Sequence, residues 1–190
     1  MEIQYDNLEI FKNNMSSFME TSKDTDSETI KYMTQSDIEV INFDQVKDDY
    51  IKDMKLSNTP CSSDALYISK NGELYFVEFK NGLMKKDKVY NVYNKIYDSL
   101  LIFNDITGKN ISFCREHVNF ILVYNESKNP YKTDEVSMED SPKARIGKYF
   151  ISKANKRYIR FDLERFKKIY FRDVFTYTET EFENLFLSKL

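Results

Sequence analysis

Apolar residues along the chain recur with two periods, and each period marks a different kind of element. Val89, Val92, Tyr93, Ile96, Tyr97, Leu100 and Phe103 fall on one helical face, which predicts a helix over about 86–104. Val118–Tyr124 (VNFILVY) is a short unbroken apolar run of the kind a buried strand shows. Between 61 and 82 two β-rich runs, Ala65–Ile68 and Leu74–Phe79, flank Ser69-Lys70-Asn71-Gly72. Asn-Gly between such runs predicts a β-hairpin, because both residues tolerate positive φ. Hairpin, helix and following strand make a strand–helix–strand unit, which would set the last strand parallel to a strand of the hairpin.

The remaining patterns are shorter. Leu8, Phe11, Met15, Phe18 and Met19 follow a capping sequence at Asp6 with helical spacing. Residues 21–29 are polar and read as a loop, while Ile38, Val40, Ile41 and Phe43 fit a strand or a short helix. Asp44 reads as the cap of a helix through Met54, and Asn58-Thr59-Pro60 breaks the chain before the hairpin. Residues 125–142 form a long polar loop with Pro130 and Pro142. Arg157–Leu163 alternates, with Ile159, Phe161 and Leu163 on one face, and predicts a half-buried strand; Asp162 also fits as the cap of a short helix through Ile169. Thr178-Glu179-Thr180-Glu181 is a capping box for a last helix that turns Phe182, Leu185 and Phe186 inward. No repeat or linker divides the chain, so 1–190 is expected to be a single mixed α/β (α+β) domain with a central mixed sheet flanked by helices.

Three charges in the hairpin carry chemistry. Asp64 opens its first strand, and Glu78 and Lys80 close its second. With a three-residue loop, Lys70-Asn71-Gly72, Ile68 pairs with Leu74, Leu66 with Phe76 and Asp64 with Glu78, and the three charges project from one face. A two-residue turn would shift the pairing by one and send Asp64 to the other face. Carboxylates beside an apolar strand are costly unless paired, hydrogen-bonded or holding a metal. Two acids and a lysine at one sheet end suit Mg²⁺, which takes hard oxygen ligands, with a basic group near an attacking water.

Asp64, then Glu78-Phe79-Lys80 after a hairpin, then a helix and a strand, resembles the PD-(D/E)XK nuclease superfamily. The resemblance spans roughly residues 40–125, and Ser63 stands where that pattern has proline. It implies a restriction-endonuclease-like core, about 37–125, with the hairpin carrying the active-site acids. Asp64 and Glu78 would bind Mg²⁺ or Mn²⁺ with the Phe79 carbonyl, and Lys80 would position or activate the water. A helix glutamate sometimes completes such a site, and Glu9, Glu28 and Glu39 are the candidates. The implied partner is nucleic acid, DNA ahead of RNA, and a homodimer is a further expectation. The acid-x-Lys triplet recurs at Asp53-Met54-Lys55 and Glu126-Ser127-Lys128, so its position at the end of an apolar strand, with an acid across the hairpin, gives it meaning.

Composition narrows the alternatives. A single histidine, His117, excludes paired-histidine chemistry, and Cys61 and Cys114 lack ligand-like spacing. No run of about 18 apolar residues and no basic-then-apolar start is present, so a cytoplasmic protein with no membrane contact is expected. The net charge of -3 hides an asymmetry. Residues 1–60 are acid-rich, whereas the C-terminal extension, about 143–190, opens with a strongly basic stretch that could track a phosphate backbone or balance the acidic part. Lys85, Lys86 and Lys88 open the long helix, where cations oppose the helix dipole. The alternative function is a non-catalytic protein- or nucleic-acid-binding module on the same scaffold.

Overall fold

The structure, a computed structural model, describes residues 8–24, 30–130 and 159–190. In chain order its strands are β1 (Met15–Ser17), β2 (Lys23–Asp24), β3 (Lys31–Tyr32), β4 (Glu39–Asn42), β5 (Ala65–Ile68), β6 (Leu74–Lys80), β7 (Val118–Tyr124) and β8 (Asp173–Thr178). The helices are α1 (Glu9–Lys12), α2 (Phe18–Thr21), α3 (Phe43–Ile51), α4 (Lys86–Thr107), α5 (Ile111–His117) and α6 (Glu179–Glu181); α6 runs on into a π turn and a 3₁₀ turn. Six strands form one sheet in the order β1-β4-β5-β6-β7-β8, antiparallel as far as β6 and parallel beyond it. The protein is thus mixed α/β, with helices on both faces of a mixed sheet. Among the described residues, no helix is long and apolar enough to cross a membrane.

The hairpin has the three-residue loop. Gly72 adopts φ +75, its N–H bonds the Ser69 carbonyl at 2.9 Å, and the Ser69 N–H bonds the Glu73 carbonyl at 2.9 Å. The ladder runs Ile68–Leu74, Tyr67–Tyr75, Leu66–Phe76 and Ala65–Val77. Strand alternation then sorts the core into two layers. Leu66, Leu74, Phe76, Phe120 and Leu122 pack against Phe43 and Val46 of α3 and Val92, Ile96, Leu100 and Phe103 of α4. Ala65, Tyr67, Val77, Phe79, Ile121 and Val123 pack against Phe18, Phe182 and Phe186 on the opposite face. Leu74, Phe76, Glu78 and Lys80 share one parity, so both charges belong to the face that α4 covers.

Several expectations fail locally. The single N-terminal helix is broken by Asn13-Asn14 and Ser16-Ser17: Asn14 bonds the Ile10 carbonyl and Asp49, β1 forms the sheet edge, and Ser17 caps α2. Polar side chains that bond nearby backbone compete with a continuous helix. The cap of α3 is Asn42, which accepts from the Gln45 N–H, and Asp44 stands inside the first turn. Described residues of the predicted 157–163 strand form none, because Phe161 (φ 61) and Asp162 (φ 55) are left-handed and lead into a 3₁₀ turn at Leu163–Phe166. On the side away from β6, β7 pairs with β8, a strand that the patterns above do not assign. The Thr178 capping box is present and buries Phe182 and Phe186, but Leu185 is 40% exposed and Leu187 points inward instead. Tyr97 on α4 is likewise exposed, stacking edge-on with Phe166 and Tyr170. The Asp6 cap and positions 131–158, with most of the long loop and the basic stretch, lie outside the described residues.

Candidate active site at the open end of the hairpin

Asp64 stands one residue before β5, and the register carries it opposite Glu78. Its Oδ2 accepts from the Phe79 N–H at 2.6 Å, which fixes the carboxylate against β6. The Lys80 carbonyl accepts from Asn125 on the β7 side. Successive residues of a strand point their backbone groups to opposite sides, so the Phe79 carbonyl is turned toward Asp64. The structure therefore brings Asp64, Glu78, Phe79 and Lys80 to one sheet end.

A fourth side chain joins them from α4. Lys95 Nζ lies 2.9 Å from Asp64 Oδ1, 2.8 Å from Glu78 Oε1 and 3.0 Å from Glu78 Oε2. Lys80 Nζ lies 2.6 Å from Glu78 Oε1. The Glu78 side chain is fully buried, and both ammonium groups lie within ion-pair distance of its Oε1. Burial, then the charge of Asp64, pushes the Glu78 carboxyl up to about 7 against the pull of Lys95 and Lys80. Burial alone would lower the Lys95 ammonium, but Glu78, Asp64 and Asp44 together outweigh it and hold Lys95 above the ordinary lysine value.

Asp44 supplies a third acid. It is exposed, yet it accepts from the Ser62 hydroxyl, and partial loss of water around its carboxyl in the cleft, then the charge of Asp64, raises that carboxyl above the ordinary range. Asp44, Asp64, Phe79, Lys80, Lys88 and Lys128 all line one cleft of about 920 Å³. An amide chain holds its mouth: Asn81 donates to Asp24 at 2.6 Å, and Asn125 donates to Asn81 at 2.9 Å.

The expected helix glutamates are not part of this arrangement. Glu9 and Glu39 are exposed and do not line the cleft, and Glu28 lies outside the described residues. Geometry puts Asp44 nearest that role, because α3 starts directly beside the Asp64 strand: the Phe43 N–H bonds the Asp64 carbonyl at 3.1 Å. Of the three lysines that open α4, Lys88 lines the cleft and Lys85 and Lys86 do not. Four described cations near the C-terminus are engaged elsewhere. Arg172 pairs with Glu73, Lys167 with Asp173, Arg160 lies over Tyr124 and bonds the Asn129 carbonyl, and Arg165 lies over Tyr93.

Whether the donors suit Mg²⁺ turns on their chemistry. No group of three or more His, Cys, Asp or Glu side chains gathers around a common point among the described residues. Two carboxylates and a carbonyl still match the way Mg²⁺ is usually held, with waters and substrate phosphate completing its shell. Glu78 Oε1 is a buried oxygen contacted by two ammonium groups, so positive charge suits the position, and a metal ion there must replace one of them. The donors therefore fit, and the two ammonium groups stand against it: Lys80 at Glu78 and, between both acids, Lys95. Sequence patterns missed both Lys95 and Asp44. For Lys95 a signal existed: a lysine interrupts the buried line Val92, Ile96, Ser99 on the core face of α4. For Asp44 the helix-start position suggested a cap and concealed its tertiary role. No family model, curated protein or solved structure matches the chain.

Proposed function

We propose that this protein is a divalent-metal-dependent nuclease of the PD-(D/E)XK kind. Asp64, Glu78 and the Phe79 carbonyl hold Mg²⁺ or Mn²⁺, and Lys80 stands beside the attacking water. The observation that carries this reading is the meeting of Asp64, Glu78 and Lys80 at one sheet end, with the Glu78 carboxylate fully buried among charged groups. Support also comes from the order of elements: a hairpin carrying both acids, a long helix, then a strand parallel to β6. These are the features of the restriction-endonuclease-like core that the resemblance implies.

A bound divalent ion supplies an activated water and charge stabilisation at the scissile phosphate. The chain's own residues do the rest. The Phe79 N–H fixes the Asp64 carboxylate, and the hairpin register fixes Glu78 beside it. Lys80, held to Glu78 on the cleft wall, orients the nucleophile and offsets charge growing on the phosphate. Lys88 and Lys128 draw the phosphate backbone along the cleft. The substrate class is nucleic acid, DNA ahead of RNA. The test is cleavage of single- and double-stranded DNA and RNA with Mg²⁺ or Mn²⁺. Wild type cleaves, and Asp64→Ala and Lys80→Ala lose cleavage while remaining folded. A wild type inert toward every substrate contradicts the proposal.

One observation favours a second reading. Lys80 and Lys95 already match the two carboxylates in charge, as a non-catalytic binding module on this scaffold would need. The melting temperature separates the two: a resident site raises it with Mn²⁺ by mass action, and a self-neutralised ion-pair cluster leaves it unchanged.

A further inference from the structure

Lys95 holds the place between the two acids. One ion shared by Asp64 and Glu78 must sit about 2.1 Å from an oxygen of each. The Lys95 Nζ stands 2.9 Å from Asp64 Oδ1 and 2.8 Å from Glu78 Oε1, so it fills the space between the same two oxygens. An ammonium group and a divalent ion cannot share it, because like charges repel strongly at such separations in a protein interior. The helix cannot retreat either, since Val92 and Ile96, on either side of Lys95, are fully buried in the core.

The flexible four-carbon stem can move. Helical side chains lean toward the N-terminus of their helix, and one turn back along α4 stands Asn91, which lines the cleft. Asp44 lines the same cleft and is near enough for its charge to act on Lys95, so it offers another carboxylate partner. Resting on the metal reading above, we infer that Lys95 is a built-in competing cation: it closes the Asp64–Glu78 pair when no divalent ion is bound and must swing toward Asn91 and Asp44 to admit one. Lys95 thereby sets the metal affinity of the site. It is a positioning residue with no required contact to the substrate.

This separates Lys95 from Lys80. Lys80 pairs with Glu78 from the strand and does not bridge to Asp64, so Lys95 is the lysine that occupies the place between the two acids.

The test is Mn²⁺ binding, read by electron paramagnetic resonance, to wild type and Lys95→Met, with melting temperatures alongside. Lys95→Met is expected to bind Mn²⁺ at least about tenfold tighter than wild type. Without the ion it melts lower than wild type, and Mn²⁺ restores the loss. A purely structural lysine would lower the melting temperature without tightening Mn²⁺ binding. Should Lys95→Met fail to fold, acylation of wild-type lysines read by mass spectrometry keeps the question open to refutation. Saturating Mn²⁺ is expected to raise acylation at Lys95 severalfold and to leave exposed Lys52 unchanged. If wild type binds Mn²⁺ and Lys95→Met binds it equally or more weakly, or if Lys95 acylation ignores the ion, this inference falls and the metal reading stands. If neither protein binds Mn²⁺ at millimolar concentration, both fall.

Discussion

Two glutamates near opposite ends of β6 meet opposite fates. Glu73, just before the strand, accepts from the Tyr75 hydroxyl at 2.6 Å and pairs with Arg172 at 2.7 Å, with its side chain 37% exposed. The Tyr75 hydrogen bond first, then that of Arg172, lowers its carboxyl below the ordinary value. Glu78 has two lysines within 3 Å and is nonetheless raised, because full burial and the neighbouring Asp64 outweigh them. Glu73 is thus a settled ion pair at the rim, whereas Glu78 is a desolvated charge that its two lysines do not fully offset. A cost of that kind, kept at the end of a strand and beside a cleft, marks the end of β6 where chemistry is to be expected.

Breaking the two ends should give unequal results, and the largest difference is in activity. Glu78→Gln and Asp64→Ala are expected to lower metal-dependent cleavage by about 10²-fold or more. Glu73→Gln is expected to leave it unchanged, as read by initial rates on the same substrate. Stability comes next. Lys95→Met leaves buried Glu78 and partly buried Asp64 short of a counter-charge and should cost about 3–5 kcal/mol near pH 8, measured by urea unfolding. The loss should shrink near pH 5, where Glu78 is protonated. Arg172→Met, at the other end, should cost about 0–1 kcal/mol.

The pH response sharpens the contrast through its sign. A carboxyl raised on folding binds its proton more tightly in the native state, so its contribution is complete below the ordinary 4.5 and is lost as pH rises through about 7. Glu73 runs the other way, contributing above 4.5 and losing it as pH falls through its lowered value. Without metal, wild type should therefore lose stability between pH 5 and 8 relative to Glu78→Gln, a difference that melting curves across that range will show. The smallest effect is Glu73→Gln itself, about 0–1 kcal/mol and weakened by salt.

How much of this was legible in the sequence follows from which signals are local. The hairpin was legible from Asn71-Gly72, but its register was not: the same dipeptide serves a two-residue turn, and only the three-residue loop that the chain adopts puts Asp64 opposite Glu78. The long helix and the buried run Val118–Tyr124 were equally plain, since both have strong periods. Lys95 was hidden because an apolar stripe tracks the residues that fit it and passes over the charged one among them. The N-terminal helix was overread because Phe11, Met15 and Phe18 keep helical spacing across asparagines and serines that break the helix. The alternation near Phe161 was overread because two left-handed residues leave no trace in an apolar–polar pattern. β8 escaped for the complementary reason: its partly buried residues show no alternation, and its pairing with β7 is tertiary.

The most direct test of the central claim is a Mn²⁺ titration of wild type, Glu78→Gln and Glu73→Gln near pH 7.5, followed by electron paramagnetic resonance. Wild type and Glu73→Gln are expected to bind the ion alike, and Glu78→Gln to lose it. Absence of binding by wild type, or equal binding by Glu78→Gln, would contradict a cation site at the end of β6.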